Sequence, residues 1–464
     1  MKRSFGLNLI VLCVTLAMAA LLFAGCQNQP AGNPTQAPTQ APAAQQPDDQ
    51  TGPEPAKQVD NSEYTGSIQF LCWDTTWGDL MTPAFKEQFP NVDAEFTPIP
   101  YNDYLQKIQT SMAAGTEIPD ILAGEYGFRA RSYALNIWEN LEQEPYNVDR
   151  NDMFEYLIPG CEYKGNIVGL EMQLSPSAMA FRRDVAIEYL GFTEDDHMED
   201  QMQEKLKTYD DVLNVGKELL EKSDGKVGMF PSCGDVFDFI CRQQTAPLMP
   251  DESTLDVTTR IKLMYETMVA WNDAGIIGTY ENGTPAYQAV YDTQDFLLYP
   301  MPAWRCNGVK TEYAPNSAGQ FCLFIPPGGT YSWGGTVLGV YNGSQNKEAA
   351  WKYVEFGTWT LEGAQIVSRE KGYQISRKDV YEQDETLGSR YDDYWKQDLF
   401  AFWIRDDVMQ VKTSDLCPYD SIVLDACSVA NNRLQADASL RAEDLIQIVL
   451  DEVRNKVPGE ITVK

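Results

Sequence analysis

Two tryptophans and an aspartate lie close together in the stretch LCWDTTWGDL, which runs from Leu71 to Leu80. Trp73 stands directly before Asp74, and a second indole follows at Trp77. An indole offers a flat apolar surface and one N–H donor, and a carboxylate accepts hydrogen bonds. Because polar and small residues surround these rings, the stretch is poor material for the middle of a core strand. It could bind a ligand by stacking and hydrogen bonding, or one indole could pack against the end of a sheet.

Side chains for nucleophilic or metal-dependent catalysis are scarce in this sequence. His197 is the only histidine, and it stands in the acidic run TEDDHMEDQ, which is typical of a solvated surface. The sequence contains no GxSxG, no P-loop, no HExxH and no DxDxDG calcium loop. We therefore predict a binding protein that is not an enzyme and uses no cofactor and no metal. A glycosidase needs only two carboxylates, so that alternative stays open.

The amino-terminal residues have the pattern of an export signal that ends at a cysteine. Lys2 and Arg3 precede a nearly unbroken apolar run over residues 7–23, which is short for a membrane span. The run closes with LFAGC, which ends at Cys26 and resembles the lipobox of bacterial lipoproteins. That resemblance implies removal of residues 1–25 as a signal peptide and attachment of acyl chains such as palmitate at Cys26, which would anchor the protein to the membrane. An ordinary signal peptide with an incidental cysteine is the alternative.

The segment after the cysteine has the composition of a tether. Residues 26–60 are rich in Pro, Gln, Ala and Thr and contain almost no large apolar side chain. Such a segment cannot bury enough apolar surface to offset the entropy of the chain. We predict a disordered, partly extended linker that holds a globular body away from the membrane.

From about residue 61 the chain has the mixed composition of a globular protein. About four hundred residues exceed what a single core usually serves, so we expect two lobes. The formal net charge of the whole chain is −32, which disfavours nucleic acid as a partner.

Eight cysteines remain once Cys13 and Cys26 are set aside as parts of the signal and the anchor. None of them forms a CxxC pair, so a zinc ribbon or a thioredoxin-like site has no support. An even number in an exported protein permits disulfides, and the pairing cannot be deduced. These cysteines are Cys72, Cys161, Cys233, Cys241, Cys306, Cys322, Cys417 and Cys427.

Strands and helices alternate at the start of the body. Residues 67–73 are predicted to form a buried strand, followed by a helix for which we expect Asp79 to be the cap. A second strand is predicted over residues 92–99, and a third begins within residues 119–122 after another helix. This β-α-β-α-β order predicts a parallel sheet, whose ligands bind at the carboxyl ends of the strands. Trp73 stands at such an end.

Further elements follow from the apolar patterns downstream. Residues 381–431 carry no clear assignment. The predicted strands cover residues 167–170, 178–181, 320–325 and 336–341, and the predicted helices cover residues 208–220, 260–271, 346–356 and 442–456.

Several segments match, in order, the pattern of extracellular solute-binding proteins of bacterial ABC importers. The upstream segments are GSIQFLCW, FKEQFPNV and YNDYLQKIQTSMAAGTEIPDI. The downstream segments are FRRDV, TYDDVLNVGKELL and IPPGGTYSWGGTVLGVYNGSQNKEAAWKYVEF. The chain resembles family 1 of these proteins, the carbohydrate-binding group that includes the maltose-binding protein, over most of residues 64–375.

The resemblance implies a two-lobed α/β fold of the periplasmic-binding-protein type II, with a hinge between two lobes that are each a sheet flanked by helices. Residues 61–172 and 335–376 would form the N-terminal lobe, and residues 173–334 and 377–464 the C-terminal lobe. The implied function is reversible capture of a carbohydrate, an oligosaccharide, in the cleft between the lobes and its delivery to the permease subunits of an ABC importer. The protein would be a lipid-anchored monomer on the extracytoplasmic face of the cell membrane.

The resemblance and the chemistry of sugars together indicate candidate ligand residues. A pyranose presents apolar C–H faces and a rim of hydroxyls, so its site needs aromatic surfaces with carboxylates, amides or arginine. The candidates are Trp73, Asp74, Trp77, Glu125, Tyr126, Arg129, Trp304, Arg305, Trp333 and Tyr373. Among the first three, we expect Trp73 and Asp74 to touch the ligand and Trp77 to be the more structural residue. Trp138, Trp271, Trp351 and Trp359 lie in or beside amphipathic helices and are predicted to be core residues.

A binding protein of the same fold for another solute is the main alternative. An acidic site that contains Asp74 and Glu125 would suit a cation such as a polyamine, and a peptide or an iron chelate could also bind. Paired tryptophans with little convergent charge favour a neutral sugar.

Overall fold

The structure of the protein is a computed structural model that describes residues 61–195, 197–457 and 459–464. The predicted signal peptide, the predicted lipidation site Cys26 and the predicted tether lie outside the described residues. The described residues form one compact unit.

Fifteen strands occur in the described residues. Five of them form one sheet and four form a second, and the rest pair two by two. They are β1 Gly66–Cys72, β2 Val92–Pro98, β3 Ile121–Glu125, β4 Glu162–Tyr163, β5 Asn166–Ile167, β6 Leu170–Glu171, β7 Pro176–Arg182, β8 Thr254–Leu255, β9 Leu298–Pro302, β10 Phe321–Phe324, β11 Tyr331–Ser332, β12 Thr336–Val340, β13 Tyr391–Asp392, β14 Gln397–Asp398 and β15 Thr462–Val463.

Eighteen α-helices occur in the same part of the chain. They are α1 Thr75–Gln88, α2 Tyr101–Ala114, α3 Arg129–Ala134, α4 Ile158–Cys161, α5 Arg183–Leu190, α6 Met198–Lys205, α7 Tyr209–Lys222, α8 Cys233–Arg242, α9 Lys262–Asp273, α10 Pro285–Ala289, α11 Arg305–Gly308, α12 Lys347–Thr358, α13 Leu361–Lys371, α14 Val380–Gln383, α15 Glu385–Gly388, α16 Leu399–Ile404, α17 Asp420–Ala436 and α18 Ala442–Lys456.

The first sheet has the strand order β2-β1-β3-β12-β6. Strand β1 pairs in parallel with β2 and with β3, as the β-α-β-α-β order predicts. Strand β12 runs antiparallel to both β3 and β6. The expected parallel sheet is therefore confirmed for three strands, and a late segment of the chain completes it in the opposite direction. Trp73 directly follows β1, at the carboxyl end where a ligand would bind.

The second sheet is antiparallel around its central strand β7, which pairs with β9, β10 and β11. All seven residues of β7 are buried. Because side chains alternate between the faces of a strand, the sheet separates two cores. Met179 and Phe181 enter one of them, and Ala178 and Ala180 enter the other.

A third core covers the first sheet and contains Trp138, Trp351 and Trp359. Trp271 lies in the core that also holds Phe181. All four of these tryptophans are buried, which confirms their prediction as core residues.

The first helix begins earlier than the sequence suggested. Asp74, and not Asp79, is the N-cap of α1, and its carboxylate accepts a hydrogen bond from the backbone N–H of Trp77. The expected cap was wrong because Asp74 already lies where β1 ends, so the helix starts immediately after the strand. Asp79 lies inside the helix and is exposed.

The chain after residue 376 contributes to more than one core. Val380 and Leu387 pack against the first sheet, whereas Trp395 and Trp403 pack against the second. The predicted lobe boundaries stay a prediction, and these contacts place part of residues 377–464 beside the first sheet.

Eight cysteines lie in the described residues, and all of them are buried and free. The body as described therefore contains no disulfide. Its apolar cores are built without covalent links between distant segments.

Candidate functional site

Trp73 lies in an aromatic cluster at the end of β1. Its ring makes edge-to-face contacts with Tyr101, Tyr104 and Phe128, at centroid distances of 5.4, 5.3 and 5.4 Å. Trp73 is half-buried, and Tyr101 is exposed. Three neighbouring rings therefore fix the orientation of an indole that keeps part of its surface accessible, which is what stacking on a ligand requires.

Besides capping α1, Asp74 interacts with the side chains of Lys371 and Thr76. Lys371 Nζ lies 2.9 Å from Asp74 Oδ1, and the same ammonium also reaches the hydroxyl of Thr76. Lys371 ends α13, and its Nζ lies 4.9 Å from the centre of the Tyr373 ring. The structure thus brings Tyr373 together with Asp74 through a lysine that sequence reasoning missed. Its position two residues before Tyr373 is the signal that could have pointed to it.

Trp77 lies in the core of the first sheet, with none of its surface exposed. Its ring packs edge-on against Phe70 and Tyr353, at 5.9 and 6.3 Å. A Cβ placed on Gly357 would lie only 2.7 Å from the indole, so the helix above it is in tight contact. Because Asp74 caps the helix, residue 77 lies on the helix face that packs into the core of the first sheet. The structure therefore corrects the inclusion of Trp77 among residues that contact a ligand, and it matches our expectation that Trp77 is the structural member of the group.

Glu125 ends β3 and is half-buried. Its Oε2 accepts hydrogen bonds from the Tyr101 hydroxyl at 2.7 Å and from the Gly127 backbone N–H at 2.6 Å. Tyr126 is also half-buried, and its backbone N–H donates to the carbonyl oxygen of Gly335 at 3.1 Å. The carboxylate is therefore fixed through one oxygen and faces the segment before β12 with the other.

Arg129 has a different role from the expected one. It is 1% exposed and donates to the carbonyl oxygens of Gly124 and Gly335 at 3.0 and 2.7 Å. Its Nη1 lies 2.7 Å from Oε1 of the buried Glu171. These bonds connect α3 with two strands of the first sheet, and they leave almost no Arg129 surface that a ligand could touch. The expected ligand contact by Arg129 is corrected to a buried structural role.

Three predicted residues form one cluster after β9 and β11. Trp304 Nε1 donates to the carbonyl oxygen of Trp333 at 2.9 Å, and the two rings meet edge-on at 6.2 Å. The Arg305 guanidinium lies 4.4 Å from the centre of the Trp333 ring and 5.1 Å from that of Trp304. Trp333 is buried, whereas Trp304 and Arg305 are half-buried. The cation lies against aromatic faces, an arrangement that stabilises both partners.

Sequence reasoning missed a charged face of α8 that packs on this cluster. The Arg242 guanidinium lies 5.4 Å from the centre of the Trp333 ring and pairs with Asp238 at 2.8 Å. In the first turn of the same helix, Asp235 accepts a hydrogen bond from the Tyr287 hydroxyl at 2.5 Å. Burial raises the pKa of Asp235 to about 7, although this bond acts in the opposite direction. Asp235, Asp238 and Arg242 have the spacing of one helix face, and that spacing is the signal that could have revealed them.

The two groups of predicted residues meet at Gly334. A Cβ placed on this glycine would lie 3.4 Å from Trp304 Nε1 and 3.7 Å from Glu125 Oε1. Gly334 also has a φ of 79°, a conformation that favours glycine. The last residue of β3 in the first sheet therefore lies close to a residue that follows β9 of the second sheet.

No group of His, Cys, Asp and Glu side chains within residues 61–195, 197–457 and 459–464 could hold a metal ion. The arrangement instead offers indole faces, a guanidinium and a carboxylate oxygen, which suit a polyhydroxylated or otherwise polar organic ligand.

The sequence pattern of a family described as bacterial extracellular solute-binding protein matches residues 81–398. The chain belongs to this family. None of the curated proteins matches the sequence significantly.

Solved structures share the fold of this family member. An extracellular solute-binding protein of family 1 is 17% identical with a TM-score of 0.73, over 84% of this chain and 99% of that one. The sugar-binding protein MalE from Xanthomonas citri is 15% identical with a TM-score of 0.68, over 84% and 97% of the two chains. The GacH receptor of Streptomyces glaucescens GLA.O, solved unliganded and with acarbose, is 15% identical with a TM-score of 0.67, over 85% and 99%. The predicted family and the two-lobed α/β fold are confirmed.

Family membership gives the chain a solute-binding role and an extracellular setting. Within the part of the chain that the structure describes, no helix has the length and apolar character of a membrane span.

Proposed function

We propose that this solute-binding protein captures a carbohydrate, an oligosaccharide, in a cleft between its two lobes and delivers it to the permease subunits of an ABC importer. The observation that carries the proposal is the meeting of Trp304 and Glu125 at Gly334, since Glu125 ends β3 of the first sheet and Trp304 follows β9 of the second. An aromatic face and a carboxylate at one place are the groups that a pyranose needs.

Each residue of the site has a distinct task in this proposal. The half-buried indoles of Trp73 and Trp304 stack on the apolar faces of sugar rings. Glu125 Oε1 accepts a hydrogen bond from a sugar hydroxyl, because only Oε2 is engaged by Tyr101 and Gly127. Arg305 directs its Nη1 toward the Tyr291 hydroxyl and the Pro300 carbonyl oxygen, and the N–H groups of Nε and Nη2 serve ligand oxygens.

In this proposal the two lobes close by rotation at the segments that connect the two sheets. The chain passes from β6 in the first sheet to β7 in the second, and it returns from β11 to β12. Gly334 and Gly335 lie in the return segment, and both have positive φ angles. A short glycine-containing connection can absorb the backbone rotation of a hinge, so that two lobes close on a bound sugar.

Structures of similar fold support a sugar as the ligand. MalE from Xanthomonas citri is a sugar-binding protein, and the GacH receptor was solved in complex with acarbose. The proposal extends that ligand class to this chain, together with an anchor of acyl chains on Cys26 that keeps a monomeric, non-enzymatic receptor at the outer face of the cell membrane.

A cationic solute is the second candidate, and one contact disfavours it. Asp74 would be part of an acidic site for a polyamine, but its carboxylate is already paired with Lys371 at 2.9 Å. A second cation at that place would have to displace the lysine. A neutral sugar can accept hydrogen bonds from Lys371 and leave the pair intact.

A thermal-shift screen of the purified protein tests the proposed function. The panel holds neutral mono- and oligosaccharides, polyamines and short peptides, and each reaction is checked afterwards for cleaved sugar. We expect one group of sugars to raise the melting temperature and to be recovered intact, because a ligand at about 100 times its Kd stabilises the native state by about 2.7 kcal/mol. Stabilisation by polyamines or peptides alone, or release of sugar fragments, would contradict the proposal.

A further inference from the structure

A cavity of about 430 Å³ lies beside the proposed site, and none of the ten predicted ligand residues lines it. Its volume is within the range of about 300–1,000 Å³ that is common for small-molecule sites. Its walls come from three parts of the chain, within residues 303–310, 369–372 and 390–403.

The walls of the cavity continue from the proposed site on two sides. Ala303 directly precedes Trp304 in the chain, and the residues of α11 that line the cavity follow Arg305. On the other side, Lys371 lines the cavity and holds Asp74 in an ion pair. A ligand that lies against Trp304 or Asp74 therefore needs to extend by only a short distance to enter the cavity.

The third wall comes from residues 390–403, which include the end of the family match at residue 398. This wall is aromatic. Tyr391 is 56% exposed at the cavity, and Phe400 and Trp403 are buried behind it. The buried Nε1 of Trp395 has no hydrogen-bond partner among residues 61–195, 197–457 and 459–464. The exposed Tyr391 ring is a surface on which a sugar unit could stack, whereas the buried Trp395 donor is out of its reach.

The charges around the cavity are mostly paired with one another. Lys310 lies 2.8 Å from Asp392, and Lys371 is bound to Asp74. The Arg390 guanidinium lies 4.3 Å from the centre of the Phe400 ring, and its Nη2 donates to the carbonyl oxygen of Ser368 at 2.6 Å. These positive and negative side chains are held in place as hydrogen-bond donors and acceptors, which suits the hydroxyl groups of a neutral sugar. A strongly charged ligand would meet groups of its own sign.

We propose that this cavity is a subsite for a further unit of a neutral oligosaccharide, with Tyr391 as its stacking surface and Arg390 as a hydrogen-bond donor. The inference rests on the proposed function, and it names the class of sugar: a chain of several units, one of which lies against residues 390–403. Residues 390–403 then set the length of ligand that the protein prefers.

Titration calorimetry with the full body of the protein tests this subsite. The probes are the neutral sugars that stabilise the wild type, each as a series from one to five units. Tyr391→Ala and Arg390→Gln are compared with Met112→Ala, which removes an exposed apolar side chain of α2 away from the cavity. We expect both cavity variants to lose about ten-fold in affinity for the longer sugars and to bind the shortest bound sugar as the wild type does. Met112→Ala should leave every affinity unchanged.

The outcomes separate the two proposals. If the wild type binds the sugars but both cavity variants bind every length as tightly as it does, the subsite is overturned and the proposed function stands. If no neutral sugar binds the wild type, both fail. Equal losses for short and long sugars would also overturn the subsite, because the residues would then act on the whole site. Melting temperatures of the unliganded variants show whether each one is folded, and both substituted side chains are exposed.

Discussion

Arg129 and Glu171 form an ion pair of 2.7 Å in which the two side chains are 1% and 3% exposed. Burial raises the pKa of Glu171, although the guanidinium of Arg129 acts in the opposite direction. The pair joins α3 to β6, the last strand of the first sheet before the chain passes to the second. It therefore fixes the start of a connection that a hinge motion would use.

Removal of one partner from this pair should destabilise the fold strongly. We expect Arg129→Met to lower the free energy of unfolding by about 3–5 kcal/mol, because it leaves a buried carboxylate without its cation. The double variant Arg129→Met, Glu171→Met should lower the free energy of unfolding by a smaller amount. Urea denaturation measures both. The matched control is Lys262→Met, because Lys262 forms an exposed ion pair of 3.6 Å with Glu266. This substitution should lower the free energy of unfolding by less than about 1 kcal/mol. Equal costs for Arg129→Met and the control would refute this prediction.

Trp304 and Trp77 should respond to truncation in opposite ways. Trp304→Ala removes a half-buried ring of the proposed site, so we expect a loss of at least about ten-fold in sugar affinity with a small change in stability. Trp77→Ala empties a core position and should lower the free energy of unfolding by about 3–5 kcal/mol. Titration of the folded Trp77→Ala protein should give the wild-type affinity. The assignment fails if Trp304→Ala binds normally or if Trp77→Ala is folded but does not bind.

Asp74 combines a helix cap with a proposed ligand contact, and two substitutions separate these roles. Asparagine caps a helix about as well as aspartate, whereas alanine does not, so Asp74→Ala should be less stable than Asp74→Asn by about 1 kcal/mol. Both remove the carboxylate that pairs with Lys371. If the carboxylate contacts the sugar, calorimetry should show a similar loss of affinity in both variants. Full affinity in Asp74→Asn would show that the charge has no part in binding.

Asp235 should make stability depend on pH in a specific direction. Its pKa is raised to about 7 in the folded protein, above the value of about 3.9 in an unfolded chain. Its contribution to stability is therefore complete below about pH 4 and is lost as the pH rises through about 7. Relative to Asp235→Asn, the wild type should lose a few kcal/mol of unfolding free energy between these values, as measured by urea denaturation at each pH. Parallel profiles for the two proteins would contradict the shifted pKa.

Cys26 should decide where the protein is found in the cell. We expect Cys26→Ser to abolish incorporation of labelled palmitate and to move the protein from the membrane fraction to the soluble fraction. Cys13→Ser is the control, because Cys13 lies within the predicted signal and should leave the anchor intact. Retention of Cys26→Ser at the membrane would exclude the lipid anchor.

The sequence revealed those parts of the fold that local pattern determines. Strand β2 and the full extent of α18 follow from the spacing of apolar residues. The direction of β12 could not be predicted, because it depends on a pairing with β3 more than two hundred residues away. The cap of α1 was misplaced for a local reason, since two aspartates five residues apart offered the same signal.

The site was only partly accessible to sequence reasoning. Trp304 and Glu125 were predicted as ligand residues, and their proximity at Gly334 became visible only once two sheets were packed together. Arg129 was misjudged because a surface arginine and a buried one look alike until its partner Glu171 is known. The wall formed by residues 390–403 carried no periodic pattern that would have linked it to Lys371, which lines the same cavity.

Because the eight cysteines of the described residues are buried and free, this part of the protein folds without forming disulfides. Burial raises the pKa of the Cys72 and Cys233 thiols to about 12, so these sulfurs stay protonated and unreactive at neutral pH. A body that needs no oxidant to fold would mature equally well in an anaerobic habitat and in air. The same sulfurs would report on damage, because an alkylating reagent would mark only those receptor molecules whose cores have opened.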